Sequence, residues 1–86
     1  MPNQYQIIPT KTFLKDLEKR VNPQYARQIE RTIDKLAQNP YQGIKLTSIK
    51  IGQWRIRIGD YRIRYDIEGN RVILLRILHR KDIYRK

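Results

Sequence analysis

The stretch that decides the reading runs Trp54-Arg55-Ile56-Arg57-Ile58-Gly59-Asp60-Tyr61-Arg62-Ile63-Arg64-Tyr65-Asp66-Ile67, then Glu68-Gly69-Asn70, then Arg71 to Tyr84. Apolar residues alternate with arginines at the two-residue period of a half-buried strand, so one face makes a core and the other gathers guanidinium groups. Gly59-Asp60 and Glu68-Gly69-Asn70 are turn signals. They divide the stretch into three strands: Gln53 to Ile58, Tyr61 to Ile67 and Arg71 to Leu78. Parity puts Trp54, Ile56, Ile58, Tyr61, Ile63, Tyr65 and Ile67 on the apolar side, joined by Ile73, Leu75 and Ile77. Arg55, Arg57, Arg62, Arg64 and Arg76 fall opposite, with Arg80 beyond them.

Working back toward the N-terminus, Asn22-Pro23 is a helix start, with Asn as cap and Pro at the first helical position. Ala26, Ile29, Ile33, Leu36 and Ala37 trace one apolar stripe until Asn39-Pro40 stops it. Before it, Phe13, Leu14 and Leu17 mark a shorter helix opened by Pro9-Thr10. Asn3 to Ile8 reads as a first strand, and Pro40 to Lys50 as a connector. The order predicts an α+β fold. An N-terminal strand and a helical hairpin precede a three-strand antiparallel meander, and all four strands form one sheet packed on the helices. The 86 residues allow one domain, spanning 1–86.

The net charge is +11, from 19 basic and 8 acidic residues. A field of that sign draws phosphate backbones, membrane surfaces and acidic proteins. With no cysteine, disulfides and thiolate metal sites are excluded, and a single histidine, His79, argues against a metal centre. No stretch reads as a signal segment or approaches transmembrane length, which suits a cytoplasmic protein. Alternating Arg and Ile is also what any solvated antiparallel strand looks like. A face built only for solubility mixes its signs, however, and like charges across strands cost stability. From Tyr61 to Lys81 the acids are Asp66 and Glu68, against Arg62, Arg64, Arg71, Arg76, Arg80 and Lys81. That balance points to nucleic acid.

Binding is easier to derive than cleavage. Arginine grips phosphate oxygens bidentately but stays protonated, so it is a poor base. Candidates for proton transfer are His79, Tyr84 and a loop lysine such as Lys45 or Lys50. His79 shares strand parity with the core and reads equally as a residue closing the core edge.

Lys45-Leu46, the run Trp54 to Arg62 with its Gly-Asp-Tyr-Arg, and His79-Arg80-Lys81-Asp82-Ile83-Tyr84 together resemble the RelE branch of the RelE/ParE toxin superfamily. The likeness spans nearly the whole chain. It implies the toxin of a type II toxin–antitoxin pair, entering the ribosomal A site and cleaving mRNA without metal or other cofactor by 2′-hydroxyl attack. Arg62 then corresponds to the arginine that holds the scissile phosphate, Arg80 to the arginine linked to phosphate contact and protonation of the leaving group, and Tyr84 to the tyrosine that stacks on or orients the nucleotide. Arg55, with Gln53 or Arg57 beside it, stands where the best-studied branch has lysines, one of them a proposed base. Catalytic candidates are therefore Arg57, Arg62, His79, Arg80 and Tyr84. The RNA-binding candidates are Lys45, Lys50, Arg55, Arg64, Arg76 and Lys81. An acidic antitoxin with an amphipathic helical segment is the implied partner, in a toxin–antitoxin hetero-oligomer. The competing expectations are a ParE-like gyrase inhibitor and a basic RNA- or ribosome-binding module without chemistry.

Overall fold

The computed structural model describes residues 4–81. Its elements are β1 (Gln6–Pro9), α1 (Lys11–Lys19), α2 (Pro23–Gln38), a 3-10 turn (Pro40–Gln42), β2 (Ile44–Lys45), β3 (Trp54–Ile58), β4 (Tyr61–Glu68) and β5 (Arg71–His79). The fold is α+β as expected, but among the described residues the sheet has five strands, not four, in the order β1-β5-β4-β3-β2. The additional strand, β2, is only two residues long and pairs antiparallel with Trp54 and Arg55. A strand that short carries no periodicity to read.

Each helix starts where its cap places it. The Thr10 hydroxyl accepts the Phe13 N–H at 3.1 Å, and the Asn22 side chain accepts from Gln24 at 3.1 Å. The Thr10 side chain also donates to the Leu74 carbonyl, 2.9 Å away, which fastens α1 to β5. Both helices lie on one face of the sheet. Phe13, Ile29 and Leu36 pack there against Ile58, Tyr61, Ile63, Tyr65, Val72, Leu74 and Ile77, all buried. Tyr61 and Tyr65 bring polar tips into that core, and both are satisfied. The Tyr61 hydroxyl accepts the Asn22 N–H at 2.9 Å, and the Tyr65 hydroxyl donates to the Pro40 carbonyl at 2.7 Å.

The sheet corrects one parity assignment. Tyr65 pairs with Leu74 while Arg64 pairs with Arg76, so Leu75 is an extra residue, a β-bulge. The alternation restarts there. Val72, Leu74 and Ile77 point to the helices, whereas Ile73 and Leu75, expected in the core, lie on the opposite face. Beyond the bulge β1 no longer flanks β5, because their parallel pairing ends at Pro9 and Leu74. Buried Asp16 takes over that edge. Its Oδ2 accepts the Ile77 N–H at 2.9 Å and the Arg76 Nε–H at 2.7 Å.

Candidate anion-binding face

The face away from the helices is the arginine floor. Arg57 sits directly across from Arg62, Arg55 from Arg64, and Arg64 from Arg76. Like charges so placed repel, and the fold restrains most of them. Arg64 Nε donates to the Gly52 carbonyl at 2.8 Å, and Arg57 Nε to the Gly59 carbonyl at 3.0 Å. Arg76 is drawn to Asp16. The floor's own acid, Asp66, is engaged elsewhere. Its two oxygens accept the N–H groups of Gly52 and Gln53 at 2.9 and 2.7 Å, pinning the loop before β3.

Arg62 is the exception. Its Nε and Nη1 are buried and have no hydrogen-bond partner among the described residues. A guanidinium nitrogen withdrawn from water and left unpaired is costly, and the surroundings show what would pair it. Arg62 lines a polar hollow of about 250 Å³ with Arg57, Gly59, Asp60 and Arg80. Three guanidiniums against one carboxylate leave this hollow positive. The Arg80 N–H donates to the Asp60 carbonyl at 2.7 Å, so the last turn of β5 is tied to the β3–β4 turn and Arg80 is held at the rim. Gly59, at φ 58°, makes that turn possible. Such a hollow suits an anion with several acceptor oxygens, as a phosphate group has.

Placement of the other expected residues is uneven. Arg55 and Arg57 share with Arg62 a second, half-enclosed hollow of about 260 Å³ beside β2. His79 pairs with Tyr61 on the helix side of the sheet, where their rings meet edge to face at 5.0 Å. Its Nδ1 accepts the Lys81 N–H at 3.0 Å, so the imidazole and the Arg62 hollow lie on opposite faces. Lys45 is paired with Trp54 and so belongs to the helix-side face of the edge strand, exposed. Lys50 is exposed in the loop between β2 and β3, and Lys81 is exposed just after β5. Tyr84 lies outside the described residues. The sequence reading missed Asp16, although a signal was present: it is the acid on the Phe13–Leu17 stripe of α1, four residues before Arg20, whose Nε it meets at 3.2 Å.

Residues 7–84 match the family model described as ParE toxin of type II toxin–antitoxin system, parDE. The chain is 37% identical over 84 residues to Toxin RelE3 of Methanocaldococcus jannaschii, covering 92% of this chain and 94% of that protein. The chain belongs to the RelE/ParE superfamily of type II toxins. Two solved members of this superfamily carry the same fold. The toxin–antitoxin complex RelBE2 of Mycobacterium tuberculosis aligns at a TM-score of 0.77 with 26% identity, over 92% of this chain and 94% of that one. The RelB–RelE antitoxin–toxin complex of Methanococcus jannaschii aligns at 0.73 with 32% identity, over 90% and 94%. Among the described residues of this RelE/ParE toxin, no helix is long and apolar enough to cross a membrane.

Proposed function

We propose that this toxin is a ribosome-dependent endoribonuclease that cuts mRNA in the A site by metal-independent attack of a 2′-hydroxyl. The observation that carries the proposal is that Arg62, with Nε and Nη1 buried and unpaired, lines a hollow shared with Arg57 and Arg80. In the reaction the 2′-oxygen bonds to phosphorus and the P–O5′ bond breaks, leaving a 2′,3′-cyclic phosphate and a 5′-hydroxyl. The phosphorane carries more charge than the diester. Fixed cations that need no reorganisation therefore favour the transition state over the ground state.

Arg62 and Arg57 would grip the non-bridging oxygens, with Arg80 beside the departing 5′-oxygen. Arginine cannot readily accept the 2′-hydroxyl proton. His79 and Lys45 lie on the far side of the sheet, which leaves Tyr84 and Lys50; we assign proton transfer to Tyr84, because the resemblance makes it the tyrosine that stacks on or orients the nucleotide and so places it beside the reacting ribose. The toxin would act in the cytoplasm, held inactive by an acidic antitoxin. The two RelBE structures support that partner, because both are toxin–antitoxin complexes.

Translating ribosomes with a defined A-site codon test the reading. The transcript should be cut, and Arg62→Ala should lower the cleavage rate by roughly 10²–10³-fold, the usual loss on removing one transition-state donor. Ribosome binding should fall far less. Equal losses in both would sink the catalytic assignment. The ParE description of the matching family model favours a second reading, inhibition of DNA gyrase. An intact transcript together with blocked supercoiling would establish it instead.

A further inference from the structure

Beside Arg62, on the β2 side, the edge of the sheet is unfinished. Leu46 N–H donates to the Gln53 carbonyl at 2.7 Å. In an antiparallel ladder the residues whose backbone groups face the partner recur every second position, so those of Arg55 and Arg57 also face β2. Pairing nevertheless stops at Ile44 and Arg55. The same register would set residue 42 across from Arg57, but the chain there has left the sheet for the 3-10 turn Pro40–Gln42. Gly43 is the point of departure, packed so tightly that any Cβ would collide with the Tyr65 hydroxyl and lie 2.6 Å from the Arg55 carbonyl oxygen. Among the described residues the outward backbone edge of Arg57 is thus left without a strand partner. In its place is the half-enclosed hollow of about 260 Å³, lined by Gln42, Gly43, Ile44, Arg55, Arg57 and Arg62 among others.

The Gln42 side chain is not free to turn. Its Nε2 donates to two carbonyls at the end of α2, Lys35 at 2.8 Å and Asn39 at 2.9 Å. With both amide hydrogens spent on the helix end, Oε1 is left as a held acceptor. Arg57 adds its outward-facing backbone N–H and C=O, and Ile44, 58% exposed, adds an apolar wall.

We infer that this hollow is a base-reading subsite that takes the amine-bearing edge of adenine or cytosine in the nucleotide adjoining the phosphate on Arg62. The exocyclic amine, with two hydrogens, would donate to both Gln42 Oε1 and the Arg57 carbonyl, and the neighbouring ring nitrogen would accept the Arg57 N–H. Uracil has a single N–H on that edge: it can serve the Arg57 backbone pair, but Gln42 Oε1 then meets an oxygen instead of a second donor. The inference rests on the RNA-cleaving reading, since it is the reacting phosphate that brings a base to this place.

Two measurements test it separately from that reading. Ribosomes programmed with codons that vary each base flanking the cut should be cleaved about tenfold faster with adenine or cytosine than with uracil at one position, the discrimination one well-placed base contact provides. In Gln42→Met, which keeps the length and loses the acceptor, that ratio should fall below about threefold. A merely structural role would lower every codon alike and leave the ratio unchanged, and that outcome overturns the inference while cleavage still stands. The second measurement needs no cutting: amide shifts of Gln42 and Arg57 during titration with adenosine or uridine 3′-monophosphate. Saturation at lower concentration with the adenosine compound supports the subsite even if no transcript is cut. Equal responses, or none, overturn it.

Discussion

Arg62→Met should stabilise this protein while abolishing its response to phosphate. Burying Nε and Nη1 without partners costs about 1–3 kcal/mol for a hydrogen-bonding group, more for a charged one. The directly opposed Arg57 adds about 0.2–1 kcal/mol of cross-strand repulsion. Methionine retains an apolar stem of similar reach, so most of the packing survives. Because Arg62 is partly exposed, the lower end of the range applies, a net gain of about 1 kcal/mol. For a domain of this size that is a rise in melting temperature of about 4–8 °C. Phosphate bound in the hollow supplies what the fold omits. At ten times its dissociation constant it should stabilise the wild type by about 1.4 kcal/mol, and the variant not at all. Urea unfolding of both proteins, with and without phosphate at constant ionic strength, reads all four quantities. If Arg62→Met is less stable than the wild type, or gains as much from phosphate, then Arg62 is a structural residue and not the anion ligand of the hollow.

Asp16→Ala should cost about 2–4 kcal/mol, chiefly because the Ile77 N–H is left buried and unpaired, with less from the part-exposed Arg76 and Arg20. Asp16→Asn keeps an acceptor for that N–H and should lose about half as much. Equal shifts of the urea midpoint in the two variants would show that charge, not edge closure, is what matters. Tyr65 gives a pH prediction. Burial pushes its phenol from 10.0 up to about 12, against a smaller opposing pull from the Gly43 backbone hydrogen bond. The folded state therefore holds the proton more tightly than the unfolded chain. The stability this provides is complete below pH 10 and lost as pH climbs toward 12. Tyr65→Phe should cost about 1 kcal/mol at neutral pH through the bond to Pro40. Its deficit should shrink above pH 10, and a constant difference between the two proteins across that range would refute the cause given.

Much of the fold was legible because local signals and tertiary demands agreed. The caps at Thr10 and Asn22, the stripe from Ala26 to Leu36 and the turns at Gly59 and Gly69 each specify one backbone path, and that path was observed. The errors arose where a distant contact sets the geometry. Alternation carried through Leu75 sends Ile73 and Leu75 inward. The bulge that reverses them is held by the Thr10 hydroxyl, 64 residues away. Strand β2 owes its existence to the loop that Asp66 pins, not to any pattern in Ile44 and Lys45. For the site, parity found the arginine floor but could not distinguish its members. Arg64, Arg57 and Arg76 have partners drawn from Gly52, Gly59 and Asp16, and only the folded arrangement leaves Arg62 unserved.

The strand order has a temporal meaning. β5 lies between β1 and β4, yet among the described residues it follows every other strand. Until Arg71 to His79 have been synthesised, β1 has no neighbour and β4 has one side bare. Asp16 has no edge to close, and Arg80 is not yet part of the hollow that holds Arg62. A partly translated chain is consequently without its cradle, and the cation cluster forms only after the ribosome making it has passed the last strand. Closure across so long a span also makes assembly slow relative to helix formation. A newly made chain therefore passes through an interval in which the helical hairpin can exist while the arginine floor does not.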